Sequence, residues 1–354
     1  MKKVRGKGAA LLTALMLISG CSQQSEENTQ LDAQNRGYSD LREGTSKYTL
    51  ETPYDFPEEY DYGSGLMSEL SYGDQYRKLP EPEGDQTVMN TAPDTSGIQV
   101  LYLWEKDNMP SSTVFSEDME GYFDKYDFRP YVTAMPAREG TEIKGAVVLM
   151  AGGAYQFRGN YTDTLPTAAH LRELGFQTFI VDYRLRPYTQ REGALDVARA
   201  VRFIRSNADV YGIDPEDIAV MGYSAGGIQA GEFLLNFDED VNGSVLDGRY
   251  VPDELDSVPA RASACGMIYS FYGRLSVASM DEEELRKGDL PPTFYCYGTE
   301  DPFYGQFEDQ YELMQDMGAE VSRIVLEDWP HGFGGDGGWV EDYAVWLEQI
   351  FNEK

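Results

Sequence analysis

From about residue 96 onward, apolar positions follow two alternating rhythms. GAVVLMAGG (145–153) is a continuous apolar run ending in glycines, the pattern of a strand covered on both faces. IQVLYLW (98–104) and FRPYVTAM (128–135) precede it, and FQTFIVDYRL (176–185), DIAVMG (217–222), ACGMIYSFYG (264–273), PTFYCYG (292–298) and EVSRIVLE (320–327) follow, all read as strands. Between them the spacing turns helical. In GALDVARAVRFIRSNADVYG (193–212), Ala194, Val197, Ala198, Val201, Ile204 and Ala208 fall on one face. LPTAAHLRELG (165–175) stops at Gly175, a helix begins at Ala225, and QFEDQYELMQDMG (306–318) is a further helix. The closing helix carries Val340, Tyr343, Leu347, Ile350 and Phe351 on one stripe. Strands alternating with helices predict an α/β fold, a mostly parallel sheet with helices on both faces. No internal repeat is present.

The first 95 residues break this pattern. Residues 1–20 join a basic start (Lys2, Lys3, Arg5, Lys7) to an apolar run from Ala9 to Ile18, too short for a comfortable membrane span and read as a signal peptide. The run ends in LISGC, which resembles a bacterial lipobox, so cleavage is expected before Cys21 with lipid on its thiol. That predicts an exported chain anchored to the extracytoplasmic face of the bacterial membrane. Residues 21–50 are polar and aperiodic, a tether. Residues 51–95, rich in Tyr, Pro, Gly and acid, form an N-terminal extension that either packs on the domain or joins a rim over a site. The folded domain is expected over 96–354.

Composition removes several functions. The net charge is −32, from 29 basic and 61 acidic residues, so nothing here neutralises phosphates and a nucleic-acid partner is excluded. With two histidines and three cysteines, no spacing suits zinc, and no metal or other cofactor is expected. Cys265 and Cys296 fall in apolar runs; buried free thiols and a disulfide both remain open.

The chemistry gathers at IAVMGYSAGG (218–227), where Gly222-Tyr223-Ser224-Ala225-Gly226 matches G-x-S-x-G between a strand and a helix. Such a turn lifts the Ser224 hydroxyl above the sheet beside a helix N-terminus that favours negative charge. A serine hydroxyl needs a base. His170 lies inside a helix and reads as a helix-face residue. His331, in DWPHGFGG after the last strand, is the candidate base. Glu300 and Asp301 both follow the strand PTFYCYG and compete for the orienting acid. Glu327 and Asp328 sit too close to His331 in sequence and read as surface or rim charges. The Ala225 amide supplies one oxyanion donor, and the glycines of MAGGAYQFRG (150–159) invite a second.

Residues 144–352 resemble an α/β-hydrolase of the bacterial acetyl-esterase/lipase type, in the hormone-sensitive-lipase-related branch. The resemblance rests on the elbow, on VDYRLRP (181–187) beside that group's D-Y-R-L-A-P, and on YGIDPEDIAVMGYSAGG (211–227). It implies an eight-stranded sheet and a Ser224–Asp301–His331 triad, because G-x-x-D-P after the penultimate strand selects Asp301 over Glu300. It also implies an oxyanion hole from the amides of Gly153, Ala154 and Ala225. The oxyanion loop departs from the family's H-G-G-G or P-G-G-G-Y: here it reads Ala151-Gly152-Gly153-Ala154-Tyr155. Backbone amides survive that change if the alanine does not need a positive φ.

Only about twenty residues separate the sixth and seventh strands, too few for a large helical cap. Residues 237–261 are expected to form a small rim, with Tyr155 and Tyr223 as substrate-binding candidates and Phe157, Phe303 and Tyr304 beside them. The expected reaction is hydrolysis of a short acyl ester, acetyl above all, on a carbohydrate or small molecule. A serine peptidase of the prolyl-oligopeptidase-like type and a catalytically silent surface binding protein stand as alternatives.

Overall fold

The computed structural model describes residues 81–114, 116–118 and 122–353. The signal segment, Cys21, the tether and the extension up to residue 80 lie outside the described residues.

In chain order the elements are β1 (Gln99–Tyr102), β2 (Tyr131–Met135), β3 (Gly145–Met150), α1 (Thr164–Glu173), β4 (Phe176–Asp182), α2 (Gln190–Ser206), α3 (Ala208–Tyr211) and β5 (Ile218–Tyr223). They continue as α4 (Ala225–Asn236), β6 (Ala264–Ile268), β7 (Gly273–Arg274), β8 (Val277–Ala278), α5 (Glu282–Lys287), β9 (Thr293–Gly298), α6 (Tyr304–Asp316), β10 (Val321–Leu326) and α7 (Trp339–Asn352). Eight strands form one sheet in the order β1-β2-β4-β3-β5-β6-β9-β10. β2 runs antiparallel to both β1 and β4, and the remaining pairs are parallel.

The central strands are apolar on both faces because both faces are covered. Every residue of β3, β4, β5, β6 and β9 is buried. β10, at the sheet edge, alternates toward exposure, as an edge strand with one wet face should. α2 starts at a capping box in which Thr189 accepts the Glu192 amide and Glu192 reaches back. The predicted helix 193–212 is broken at Asn207 (φ −117°, ψ 22°), so α3 is a separate turn closed by left-handed Gly212.

The VDYRLRP segment is structural. Arg184 forks onto buried Asp196 at 2.8 and 2.9 Å, and Asp196 also accepts the Trp104 indole N–H at 2.7 Å. These bonds lock the start of the domain to α2. The Val88 amide donates to the Tyr102 carbonyl at 2.9 Å, so the last described part of the extension lies along β1. Cys265 and Cys296 are buried free thiols on the neighbouring strands β6 and β9. Their register offsets them: Cys265 faces Thr293, and Ile268 faces Cys296.

One expectation fails. Residues 237–261 pack against α2 instead of rimming the site: Arg202 donates to the carbonyls of Glu239, Val241 and Val258, and Arg199 pairs with Asp253. Two buried guanidiniums needed acceptors, and this segment supplies them. Between β6 and β9 stand the β7–β8 hairpin and the six-residue α5, with no large cap.

Candidate active site

β5 runs into α4 through Ser224, whose backbone (φ 48°, ψ −119°) is that of a strained elbow. The flanking glycines are needed for close approach. A Cβ at Gly222 would lie 2.2 Å from Gly226 C, and one at Gly226 would lie 2.1 Å from the Met150 carbonyl oxygen. The elbow is therefore wedged against the end of β3, which carries the oxyanion loop.

Three loops at the carboxyl ends of the strands converge on this serine. His331 Nε2 lies 2.9 Å from Ser224 Oγ, and His331 Nδ1 lies 2.7 Å from Asp301 Oδ2. Asp301 is 3% exposed, and its other oxygen accepts the Phe303 amide at 2.8 Å. Glu300, Glu327 and Asp328 face solvent. His170 sits on α1 with Nε2 3.0 Å from Glu341 of α7, away from the serine loop.

The amides of Gly153, Ala154 and Ala225 make no backbone hydrogen bond among the described residues. Gly153 and Ala154 line the same cavity as Ser224 and His331. Two bonds set the loop that carries them. The Tyr183 hydroxyl donates to the Ala151 carbonyl at 2.8 Å, and the Gly152 amide donates to Asp163 Oδ2 at 2.8 Å. Ala154 (φ 53°) and Tyr155 (φ 57°) are both left-handed, so the alanine does occupy the region that favours glycine. The cost is about 1–2 kcal/mol at Ala154, and the surrounding bonds hold it.

The cavity measures about 370 Å³. Ile228, Phe271, Leu275 and Phe303 give it an apolar wall, and Phe157, Arg158 and Tyr161 border it on the oxyanion-loop side. Tyr155 and Tyr223 do not line it. Tyr155 is buried against Tyr183, with ring centroids 6.2 Å apart, and Tyr223 packs under the elbow against Tyr269 and Trp339. Strand alternation directs Tyr223 into the core because Ser224 turns outward. Tyr304 meets Tyr297 edge-on instead. Phe157 and Phe303 do line the cavity.

Ile228, Tyr269, Phe271 and Leu275 were missed, although Tyr269 and Phe271 follow β6 at the carboxyl edge where ligands gather in such sheets. Asp163 was missed as well. It is buried, and burial pushes its carboxyl above the usual range against the donors Tyr269, Gly152 and Thr162 and the field of His331. Among the described residues, no group of three or more His, Cys, Asp or Glu is placed to hold a metal, and no helix is long and apolar enough to cross a membrane.

The sheet order and the serine at a strand–helix elbow are those of the α/β-hydrolase fold. Residues 133–302 match the family model described as BD-FAE. The chain is 27% identical over 225 residues to the acetylxylan esterase of Xylanibacter ruminicola, covering 58% of this chain and 45% of that one. It is 24% identical over 336 residues to endo-1,4-beta-xylanase B of Butyrivibrio fibrisolvens, covering 87% and 51%. The acetyl ester-xyloside bifunctional hydrolase from Caldicellulosiruptor lactoaceticus shares the fold at a TM-score of 0.55 and 20% identity, over 74% of this chain and 97% of that one. The chain spans about half the length of the curated relatives it matches.

Proposed function

We propose that the protein is a serine carboxylic-ester hydrolase that removes short acyl groups, acetyl above all, from a carbohydrate or small ester. The observation that carries this reading is the run of contacts from Asp301 through His331 to Ser224, opening on a cavity edged by unengaged amides. His331 Nε2 takes the Ser224 proton as Oγ attacks the acyl carbon. Asp301 keeps the other imidazole proton on Nδ1 and stabilises the imidazolium that forms. The oxyanion is received by the amides of Ala225, Gly153 and Ala154, which are already oriented before the charge appears. The imidazolium returns its proton to the leaving alcohol. Water then attacks the acyl-enzyme by the same steps in reverse.

The cavity walls support a small acyl group. Ile228, Phe271, Leu275 and Phe303 offer a recess for a small acyl group, and without a large cap little further apolar surface is available to a long one. Each buried methylene adds about 0.8 kcal/mol only where a wall receives it. A carbohydrate alcohol is supported by the sequence likeness to an acetylxylan esterase. Export as a lipoprotein through Cys21 belongs to the same proposal and is supported by the LISGC segment.

The test is a screen with p-nitrophenyl acetate, butyrate and octanoate, acetylated xylan and a peptide anilide. The proposal expects kcat/KM to peak between acetyl and butyryl, release of acetate from the xylan, and no anilide cleavage. A rate rising through octanoate contradicts the short-acyl reading, and anilide cleavage without ester cleavage makes the chain a peptidase.

A further inference from the structure

The loop between β3 and α1 and the loop after β6 meet at a buried carboxylate that the reaction above does not use. Asp163 is 5% exposed and borders the cavity. Its Oδ2 accepts the Gly152 amide at 2.8 Å, and its Oδ1 accepts the Tyr269 hydroxyl at 2.7 Å and the Thr162 hydroxyl at 3.2 Å. The Tyr269 ring stands edge-on to the imidazole, with centroids 4.8 Å apart. A single side chain thus connects the loop carrying Gly153 and Ala154 to the surface on which His331 rests.

We propose that Asp163 is a positioning residue for ester hydrolysis, holding the oxyanion loop through Gly152 and the imidazole of His331 through Tyr269. The inference rests on the ester-hydrolase reading and adds to it a second carboxylate with a defined task. Both oxygens of Asp163 accept from N–H and O–H donors, which only the ionised form does in full. The other groups around His331 are Asp301 on Nδ1, Ser224 on Nε2 and the rings of Tyr269 and Phe303. Around Asp163 lie Tyr269, Thr162 and the Gly152 amide, with the phenols of Tyr183 and Tyr223 near enough to feel its charge. No ion pair to Asp163 forms among the described residues.

The experiment compares wild type, Ser224→Ala, Asp163→Asn and Tyr269→Phe in the full chain, with p-nitrophenyl acetate across pH. In Asp163→Asn one oxygen becomes an N–H donor, so either the Gly152 amide or the Tyr269 hydroxyl loses its acceptor. The expected result is a loss of about 10- to 100-fold in kcat with KM within about twofold. Tyr269→Phe keeps the ring and should lose about 3- to 10-fold in kcat, an effect that does not add to that of Asp163→Asn. Asp163→Asn with unchanged kcat, or with KM raised as much as kcat falls, overturns the proposal. If Asp163→Asn does not fold, full kcat in Tyr269→Phe overturns it. An active wild type with an inactive Ser224→Ala keeps the ester-hydrolase reading in either case; an inactive wild type removes that reading and this inference with it.

Discussion

Asp301→Asn and Glu300→Gln are chemically equal changes at adjacent positions, and the structure predicts very different outcomes. Asp301 is buried between two donors, the His331 Nδ1–H at 2.7 Å and the Phe303 amide at 2.8 Å. An asparagine there can turn its oxygen to only one of them, so its amide N–H faces the other donor. If it faces His331, the imidazole shifts its proton to Nε2 and can no longer accept from Ser224 Oγ. If it faces Phe303, the loop after β9 must move and the 2.7 Å contact opens. Either way the base is disabled. Loss of the triad acid in serine proteases costs about 10⁴-fold in kcat, which corresponds to about 5.4 kcal/mol of barrier. Glu300 is exposed, and its own amide bonds the Trp329 carbonyl at 3.0 Å whatever the side chain is. Its neutralisation should change kcat by no more than about twofold. Initial rates on p-nitrophenyl acetate, with circular dichroism to confirm folding, measure both. An equal loss in the two variants, or a loss under tenfold in Asp301→Asn, refutes the argument.

Three further outcomes are expected. Gly226→Ala places a Cβ 2.1 Å from the Met150 carbonyl oxygen, so it should destabilise the fold by at least about 2–3 kcal/mol in urea titration; unchanged stability would mean that the elbow is not wedged there. Asp182 is buried, and desolvation lifts its carboxyl from 3.8 to about 6. The folded chain therefore holds that proton more tightly than the unfolded one, so the group's stabilising contribution is full below about pH 4 and is lost as pH rises through 6. Asp182→Asn should flatten the fall in Tm between about pH 4 and 6, and an unaltered slope counts against this assignment. Expressed in a bacterium, the wild-type chain should partition into detergent with membranes and Cys21→Ala should not; identical soluble behaviour of the two removes the lipid anchor from the proposal.

Much of the fold could be read from the chain because burial imposes periodicity. Strands covered on both faces have no polar alternation, and the helices that cover them carry one apolar stripe, so the order of elements followed directly. The elbow was legible for a different reason: two glycines at 222 and 226 are the only residues that tolerate backbone atoms so near. The composition, with two histidines, narrows the candidates for a base. The cavity walls were not legible. Tyr223 and Phe303 are both aromatic residues beside site residues, but strand alternation before Ser224 sends Tyr223 into the core, while Phe303, in the turn after Asp301, lines the cavity. Asp163 carried no sequence signal, because its partners Gly152 and Tyr269 come from loops 11 and 106 residues away. The role of 237–261 was misread because Arg199 and Arg202 look like ordinary surface charges on α2 until burial makes them require acceptors.

The central claim is that Ser224 attacks the acyl carbon, and the most direct measurement is the mass of the enzyme after exposure to a fluorophosphonate ester. One adduct per chain should form, map by peptide sequencing to Ser224, and abolish hydrolysis of p-nitrophenyl acetate in proportion to its occupancy. Ser224→Ala should take up no label and show no hydrolysis above the uncatalysed rate. Labelling at another residue, or hydrolysis that persists in Ser224→Ala, would contradict the account.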